Sequence, residues 1–571
     1  MDHKRAFLAI TISLAFLVIW SWLFAPQPQG PPSQPETPTA ETRPEPRPTP
    51  QIQPIDPALA PAPSTSPSAV PPDQLGEQAG GQLQSQEESP LDPGFLPAPL
   101  ARGQRITVRN PLFEAVFNSE GGVLEEFNLQ RYRETIDPNA PFIDLVGSPE
   151  PRNRPLGLLW NGQPTWMQGE WRVEGENLEL AHDEKASLSF IGRFGQLELV
   201  RTFHFTGDTY LIEEQLQVRN HSPNQIGATL GFTIASEALS GIQNRYAPTQ
   251  IMYYDINGLQ RERKEKNLVP GMQADATVRW GSVQSNYFLA AVVPEFSEPV
   301  LKARLENGVH RVTMESRSFV LDSQLEMQFN ATYYLGPRER EALAEAPGNL
   351  LIALNYGWFN VISSPLIQVL NFFYGYVHNY GLAIILLTFI IKLIFFPLSQ
   401  KSYKSMQQMK KLQPMMLKLR EKYKDDRQKM NEEMMQLYKT YKVNPLGGCL
   451  PIAVQIPVFI ALYQALMGAI ELRHAPFIAH VPFTDIIWLA DLSARDPYYV
   501  TPIIMGATMF LQQKLTPAPG DPMQAKIMLF LPIIFTFLFL TFPSGLVLYW
   551  LVNNVLSIAQ QWWVMREPAK S

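Results

Sequence analysis

The stretch Tyr380–Leu398, YGLAIILLTFIIKLIFFPL, holds nineteen residues and a single charge, Lys392. At about 1.5 Å per residue, a helix of this length matches the roughly 30 Å hydrocarbon core of a bilayer, so the stretch predicts a transmembrane helix. A cation inside such a helix costs about 2.5–3.5 kcal/mol at mid-depth on insertion scales; it therefore tends to face protein or a water-filled cavity and to mark a pathway. Thr388, four residues earlier, falls on the same face. The competing expectation is that Lys392, six residues before Leu398, stretches its stem to the cytoplasmic interface.

Outward from this span the 571-residue chain changes character several times. Its net charge is -6, yet residues 400–443 carry twelve Lys or Arg against five Asp or Glu, so the overall acidity says nothing about partners. The one cysteine, Cys449, excludes an intrachain disulfide.

Residues 1–25 open with His3, Lys4 and Arg5 ahead of the apolar run Ala6–Phe24. The run is long for a signal-peptide core and lacks a small-x-small cleavage pattern, so it is read as an uncleaved anchor with its basic flank inside. Residues 26–100 follow as a linker, holding 21 of the 51 prolines; too little apolar surface is available to offset the entropy of ordering. A Pro-rich recognition motif is the sharper alternative there.

Across residues 101–340 the period becomes two. Ile106/Val108, Phe113/Ala115/Phe117, Phe203/Phe205, Val309/Val312 and Leu325/Met327/Phe329/Ala331/Tyr333 alternate with polar residues, and turn signals such as Glu120-Gly121-Gly122, Thr206-Gly207-Asp208 and Asn307-Gly308 separate the runs. This predicts an antiparallel β-sandwich. Its histidines, 182, 204, 221 and 310, are scattered without metal-ligand spacing.

Residues 355–378 predict an amphipathic, aromatic-rich helix in the interface plane, with Trp358, Ile362, Leu366, Leu370, Phe373 and Val377 on its apolar face. The intramembrane helix with Lys392 occupies 379–398. Residues 399–443 predict a cytoplasmic helical hairpin, whose stripes Met409/Leu412/Met416/Leu419/Tyr423 and Met430/Met434/Leu437/Tyr441 either grip partners or form its own seam. Residues 444–565 hold the remaining spans: Leu446–Ala469, Tyr498–Leu515, and two helices within Ile527–Trp563 turning at Phe542-Pro543-Ser544-Gly545. A cytoplasmic tail, 566–571, closes the chain. With both termini in the cytoplasm and the β-domain outside, every cation-rich loop falls on one side, as the positive-inside rule requires.

On the last predicted helix Tyr549, Asn553, Ser557 and Gln560 form one polar stripe at spacings of four, four and three. With Thr388, Lys392 and Gln455 they bring polar groups to membrane depth, and no acidic residue in the spans accompanies Lys392. Interhelical hydrogen bonding alone explains amides; an unaccompanied charge argues for a water-accessible cavity. No histidine lies in the assigned spans, and neither a GxxxxGK[ST] loop nor an HExxH motif is present, so catalysis, a catalytic residue and a metal are all disfavoured.

The strings NPLGGCLPIAVQIPVFIALYQAL (444–466), DLSARDPYY (491–499), DPMQAKIM (521–528) and FPSGLVLYW (542–550), behind an anchor, a linker and a β-domain, closely resemble the YidC family of bacterial membrane-protein insertases in its Gram-negative form, within the Oxa/Alb/YidC superfamily. The resemblance implies a multi-domain membrane protein: an all-α polytopic core of five transmembrane helices plus an N-terminal anchor helix, with a large periplasmic antiparallel β-supersandwich domain. It implies an insertase and chaperone of the cell inner membrane, without cofactor, that works on nascent membrane-protein clients alone or with the Sec translocon. Its hydrophilic groove would be built from Lys392, Thr388, Gln455, Tyr549, Asn553 and Ser557, and its client slide from Ile456, Pro457 and Phe459. The hairpin cations Lys410, Lys411, Lys418, Arg420, Lys422, Lys424 and Arg427 would face the ribosome or translocon. One departure stands out: Lys392 occupies the place where the family usually has Arg, which keeps the charge and loses the bidentate fork. The alternatives are a channel or small-molecule transporter with the β-domain as receptor, and a scaffold that recruits partners through the hairpin.

Overall fold

The computed structural model describes residues 103–566 apart from 148–153, 169, 238, 240–248, 276, 442, 444–449, 482 and 517–521. The expected anchor, linker and C-terminal tail lie outside the described residues. The alternating segments form antiparallel strands, among them a nine-stranded sheet. Its order runs Gly258–Glu262, Gln250–Asp255, Trp280–Gln284, Phe288–Pro294, Glu326–Pro337, Leu211–Asn220, Leu197–Thr206, Lys185–Phe194 and Glu170–Glu174. A six-stranded and a five-stranded sheet accompany it, and a single core joins all three. Asn307-Gly308 is the hairpin turn expected of it: both residues have positive φ, 50° and 86°, and Glu306 pairs with Val309 across it. The strand Glu326–Pro337 keeps its alternation only at the start, because from Ala331 onward it is buried on both faces; Leu325 precedes the strand and is exposed.

Strict alternation along Leu197–Thr206 turns Leu197, Leu199, Phe203 and Phe205 inward, and Arg201 with them. The guanidinium is fully buried. It meets Glu214 through Nε at 2.6 Å and Nη2 at 3.0 Å, and donates to the carbonyls of Gly121 and Leu156. Glu214 also accepts from the Tyr333 hydroxyl at 2.8 Å. The pair thus stitches three neighbouring strands to the Gly121-Gly122 turn, and its hydrogen bonds offset the desolvation that a buried ion pair otherwise suffers.

Two short helical segments, Arg340–Glu345 and Pro347–Leu354, lead from the sheets into eight longer helices: α1 (Asn360–Val377), α2 (Tyr380–Ile394), α3 (Phe396–Lys422), α4 (Arg427–Thr440), α5 (Leu450–Gly468), α6 (Val500–Leu515), α7 (Pro522–Phe539) and α8 (Ser544–Arg566). The run Tyr380–Leu398 is not one helix, which corrects the sequence-based expectation. Pro397 has no N–H for the ladder and its ring crowds the carbonyl four residues back, so the chain breaks at Phe395 and bends by 64° into α3. The basic arm therefore starts inside the apolar run. Among the described residues no single helix is long and apolar enough to cross a membrane; α2 and α3 reach that length only as a bent pair, and Val454–Gly468 and Met528–Phe539 are shorter apolar stretches.

Helix α1 buries Ser363, Ile367 and Leu370, and the Ser363 hydroxyl donates to the Ala461 carbonyl of α5 at 2.8 Å. Between α6 and α7 the approach is tight at Gly506, where an added Cβ would stand 2.0 Å from Thr536 Oγ1. The loop before α6 is held by Asp496, which accepts from Trp488 Nε1, Tyr498 N and both Thr501 N and Oγ1 at 2.7–3.0 Å. Asp426 caps α4 through Lys429 N. The methionine stripes meet as the hairpin seam: Met409, Leu412, Met415 and Met416 against Met434, Leu437, Tyr438 and Val443, while Tyr441 is exposed.

Replacing Arg201 with Ala strands Glu214 and the carbonyls of Gly121, Gly122 and Leu156 in the core. The expected loss is about 3–5 kcal/mol of β-domain stability, the range for breaking a buried pair. Denaturant unfolding of the purified chain in detergent, followed by the β-sheet circular-dichroism band, measures it.

Candidate functional site

Where α2 breaks, five helices and the start of α3 surround a cavity of about 310 Å³. Lys392 reaches it from the last turn of α2. Its ammonium donates to Ser557 Oγ at 2.5 Å and points to Asn553 Oδ1 at 3.5 Å. Asn553 Oδ1 also accepts from Gln455 Nε2 at 3.0 Å, joining α5 to the same group. Ser557 in turn donates to the Asn553 carbonyl, one turn earlier, at 2.6 Å. The result is a chain of polar contacts across α2, α5 and α8. Tyr549 lines the same space one turn further along α8.

Among the described residues no Asp or Glu lines this cavity, and no carboxylate lies within ion-pair distance of Lys392. The ammonium is thus held by neutral oxygens, which leaves its positive field uncancelled. In a region of low effective dielectric such a field acts strongly on a mobile anionic group. The Lys392 stem runs toward α8 and not along α3.

The remaining expected residues divide. Ile456 and Phe459 line the cavity on its α5 side, with Ile456 exposed; Pro457, half-buried, sits between them and outside the lining. Thr388 is fully buried one turn from Lys392, and its hydroxyl donates to the Ile384 carbonyl at 2.6 Å, away from the cavity. Gln560 closes the polar stripe differently from its neighbours: its Nε2 donates to the Phe396 carbonyl at 3.2 Å, satisfying backbone at the helix break. On the hairpin, Lys410, Lys411, Lys418, Lys422 and Lys424 are exposed, Arg420 is half-buried and Arg427 opens α4.

Sequence reasoning missed Ser399, Ser402 and Tyr403, which line the cavity from α3, and Gln512, Gln513 and Thr516, which line it from α6. The spacing of Ser399, Ser402 and Tyr403 marks one helix face, but that face belongs to the cavity only because the bend at Phe395 swings α3 beneath α2. Asn554 is bound to Thr508 Oγ1 at 3.3 Å, tying α8 to α6. In the β-domain, His182, Asp183 and Asp208 bring their ligand atoms within 4.8 Å of one another on exposed turns, a cluster that their separation in sequence conceals; exposed groups of this kind are common without an ion.

Above the cavity, toward the Tyr380 end of α2, Ala383, Ile384, Leu387, Leu462, Leu466, Leu546 and Val547 are buried in one apolar cluster. Outward, Leu382, Leu386, Phe389 and Leu393 of α2 and Leu529, Phe530, Ile533, Ile534 and Phe537 of α7 are exposed, apolar stripes of the kind lipid covers.

In a chain carrying Cys449→Ser, a cysteine at Ser557 reacts with a membrane-impermeant maleimide at least about tenfold faster than one at Thr388, because thiolate formation needs water. Labelling rates of the two variants in vesicles test this directly.

Comparison with known proteins bears on the whole chain. The family model described as 60Kd inner membrane protein matches residues 372–571, and that described as YidC periplasmic domain matches 105–369. The membrane protein insertase YidC of Nitratidesulfovibrio vulgaris (strain DP4) is 49% identical over 569 residues, covering 99% of this chain and 100% of the relative. That of Oleidesulfovibrio alaskensis is 52% identical over 466 residues, covering 81% and 87%. A crystal structure titled as an active YidC insertase with the first transmembrane domain resolved aligns at 19% identity over 82% of this chain and 93% of its own, with a TM-score of 0.35. The chain belongs to the YidC family of inner-membrane proteins, a family of membrane insertases and not of enzymes, with a periplasmic β-rich domain ahead of a helical region.

Proposed function

We propose that this chain inserts, folds and helps assemble integral inner-membrane proteins through the cavity around Lys392. The observation that carries the reading is the ammonium held by Ser557 and Asn553 without a carboxylate, inside helices whose outer surface is apolar. In this reading α2, α5, α6, α7 and α8 lie in the bilayer beside an N-terminal anchor, both termini and the α3–α4 arm are cytoplasmic, and the β-domain is periplasmic. Residues 355–378 lie in the interface plane.

The mechanism follows from the charges and from where they stop. An acidic residue in a client's extracytoplasmic tail is drawn to Lys392, and Gln455, Asn553, Ser557 and Tyr549 supply hydrogen bonds to groups that have left water. Polar segments then face a shorter dehydrated distance across the membrane. The client's apolar helix moves out along Ile456, Pro457 and Phe459 and partitions into lipid, which drives the step without nucleotide. Thr388 stiffens the wall behind Lys392. The apolar packing above the cavity favours this one-sided groove over a channel. Clients arrive from the ribosome or the Sec translocon at the cations of the arm, with Lys410, Lys411, Lys418, Arg420, Lys422, Lys424 and Arg427 providing the docking charge.

Insertion of a short acidic-tailed single-span client into proteoliposomes tests the reading. Lys392→Arg is expected to retain activity, because charge suffices where no bidentate partner is present. Lys392→Ala and Lys392→Glu are expected to lose roughly tenfold or more, the worth of a charge-assisted contact of about 1.5–3 kcal/mol. Equal activity in all four chains overturns the role of Lys392, and inactivity of the unaltered chain overturns the insertase reading.

A further inference from the structure

A second cavity, of about 350 Å³, lies where the β-domain meets α1, lined among others by Arg338, Arg340, Tyr356, Gln368, Asn371 and Glu471. It holds two poorly solvated charges of opposite sign that do not neutralise each other. Glu471, three residues beyond α5, accepts from Asn371 Nδ2 at 3.4 Å, and among the described residues no cation lies within ion-pair distance of it. Burial pushes its carboxyl above the usual range. Arg338 is 8% exposed; it donates to the carbonyls of Ser285, Asn286 and Ala353, leaves Nε without an acceptor, and has no carboxylate partner among the described residues. Burial lowers it to about 10. Tyr356 is within electrostatic reach of Glu471 on one hand and of both arginines on the other, and Arg340, at the exposed mouth, donates to Ser364 Oγ at 3.4 Å.

We propose that this cavity binds a zwitterionic headgroup of the phosphate–ammonium type, with the ammonium at Glu471 and the phosphate at Arg340, Arg338 standing behind it. A bound zwitterion supplies Glu471 and the arginine pair with the counter-charges that the protein withholds. The depth is right for a lipid. Helix α5 ends at Gly468 and α2 starts at Tyr380, so Glu471 falls at the level where spans meet the headgroups; this step rests on the bilayer placement proposed above. Helix α1 exposes Val361, Phe372 and Tyr376, which offers acyl chains an apolar surface beside the cavity.

The experiment uses the full chain in phosphatidylglycerol nanodiscs doped with phosphatidylethanolamine, with retained lipid counted by native mass spectrometry. The unaltered chain is expected to retain phosphatidylethanolamine in preference, and Glu471→Gln and Arg340→Gln are each expected to weaken that retention at least about tenfold, as loss of a charge-assisted contact implies, while retained phosphatidylglycerol is unchanged. Unaltered retention in both variants, or equal retention of the two lipids by the unaltered chain, overturns the proposal. Added phosphoethanolamine distinguishes the sources: displacement of the lipid supports the site with the headgroup alone as sufficient ligand, and persistence of the lipid supports it with acyl contact required. Client insertion is followed in parallel in proteoliposomes of the same composition, because its failure with lipid retention intact counts against the insertase reading and not against this site.

Discussion

A positive charge placed among apolar helices without a negative one is the constraint on which the helical region depends. Lys392 cannot be left to hydrocarbon, and the fold answers it with neutral oxygens from α8 and, through Asn553, with an amide from α5. A carboxylate in the same place would satisfy the ammonium more completely and would cancel the field. Neutral acceptors solvate the charge while leaving it able to attract, which is what the insertion role proposed above requires. The same polar ladder fixes the rotation of α8, whose other contacts go to Thr508 on α6 and to the exposed backbone at the helix break.

The break at Phe395 converts a buried charge into an accessible one. Had the apolar run continued straight, the last turn of α2 would stand among its neighbours with Lys392 closed in. Pro397 stops the ladder, α3 departs at 64°, and the side chains of Ser399, Ser402 and Tyr403 become the floor of the cavity. Because α3 is one helix from this floor to Lys422, the exposed cations of the arm are carried on a continuous rod that begins at the site. Packing of Met409, Leu412 and Met416 against α4 stiffens the rod, so the methionines serve the seam between the two helices.

At the opposite end, arginines hold the β-domain to the helices. Arg338 ties the Asn286 carbonyl to that of Ala353 in the segment leading to the helices, and Arg473 donates to the Glu134 carbonyl at 3.1 Å beneath the Phe288 ring. Backbone acceptors leave the guanidinium charges largely intact, and with Glu341 and Glu471 lining the same cavity the junction is polar and carries charges of both signs. Asn286 adds a contact to the Met467 carbonyl at the end of α5. The sandwich itself is rigid around Arg201 and Glu214, whose many partners make it a firm base for that junction.

Much of this was legible in the sequence. Period-two alternation announced the strands, Asn307-Gly308 announced its hairpin, and the four-residue spacing of Asn553 and Ser557 announced a polar face, because each of these depends on neighbours within a few residues. Lys392 was recognisable as an unaccompanied cation for the same reason: one charge in nineteen residues is a local fact. What remained hidden depends on distance. Arg201 reads as an ordinary strand arginine until its alternation meets Glu214 and the Gly121-Gly122 turn. Thr388, on the face of Lys392, turns to its own backbone, since a hydroxyl four residues from a carbonyl finds it first. The helix break and the cavity floor needed the tertiary structure, because the angle of one bend decides which side chains face the charge. The sequence by itself determined that a lone cation lies among apolar helices behind a β-sandwich; the tertiary structure alone decided what surrounds it, since partners separated by more than 160 residues are brought together only by packing.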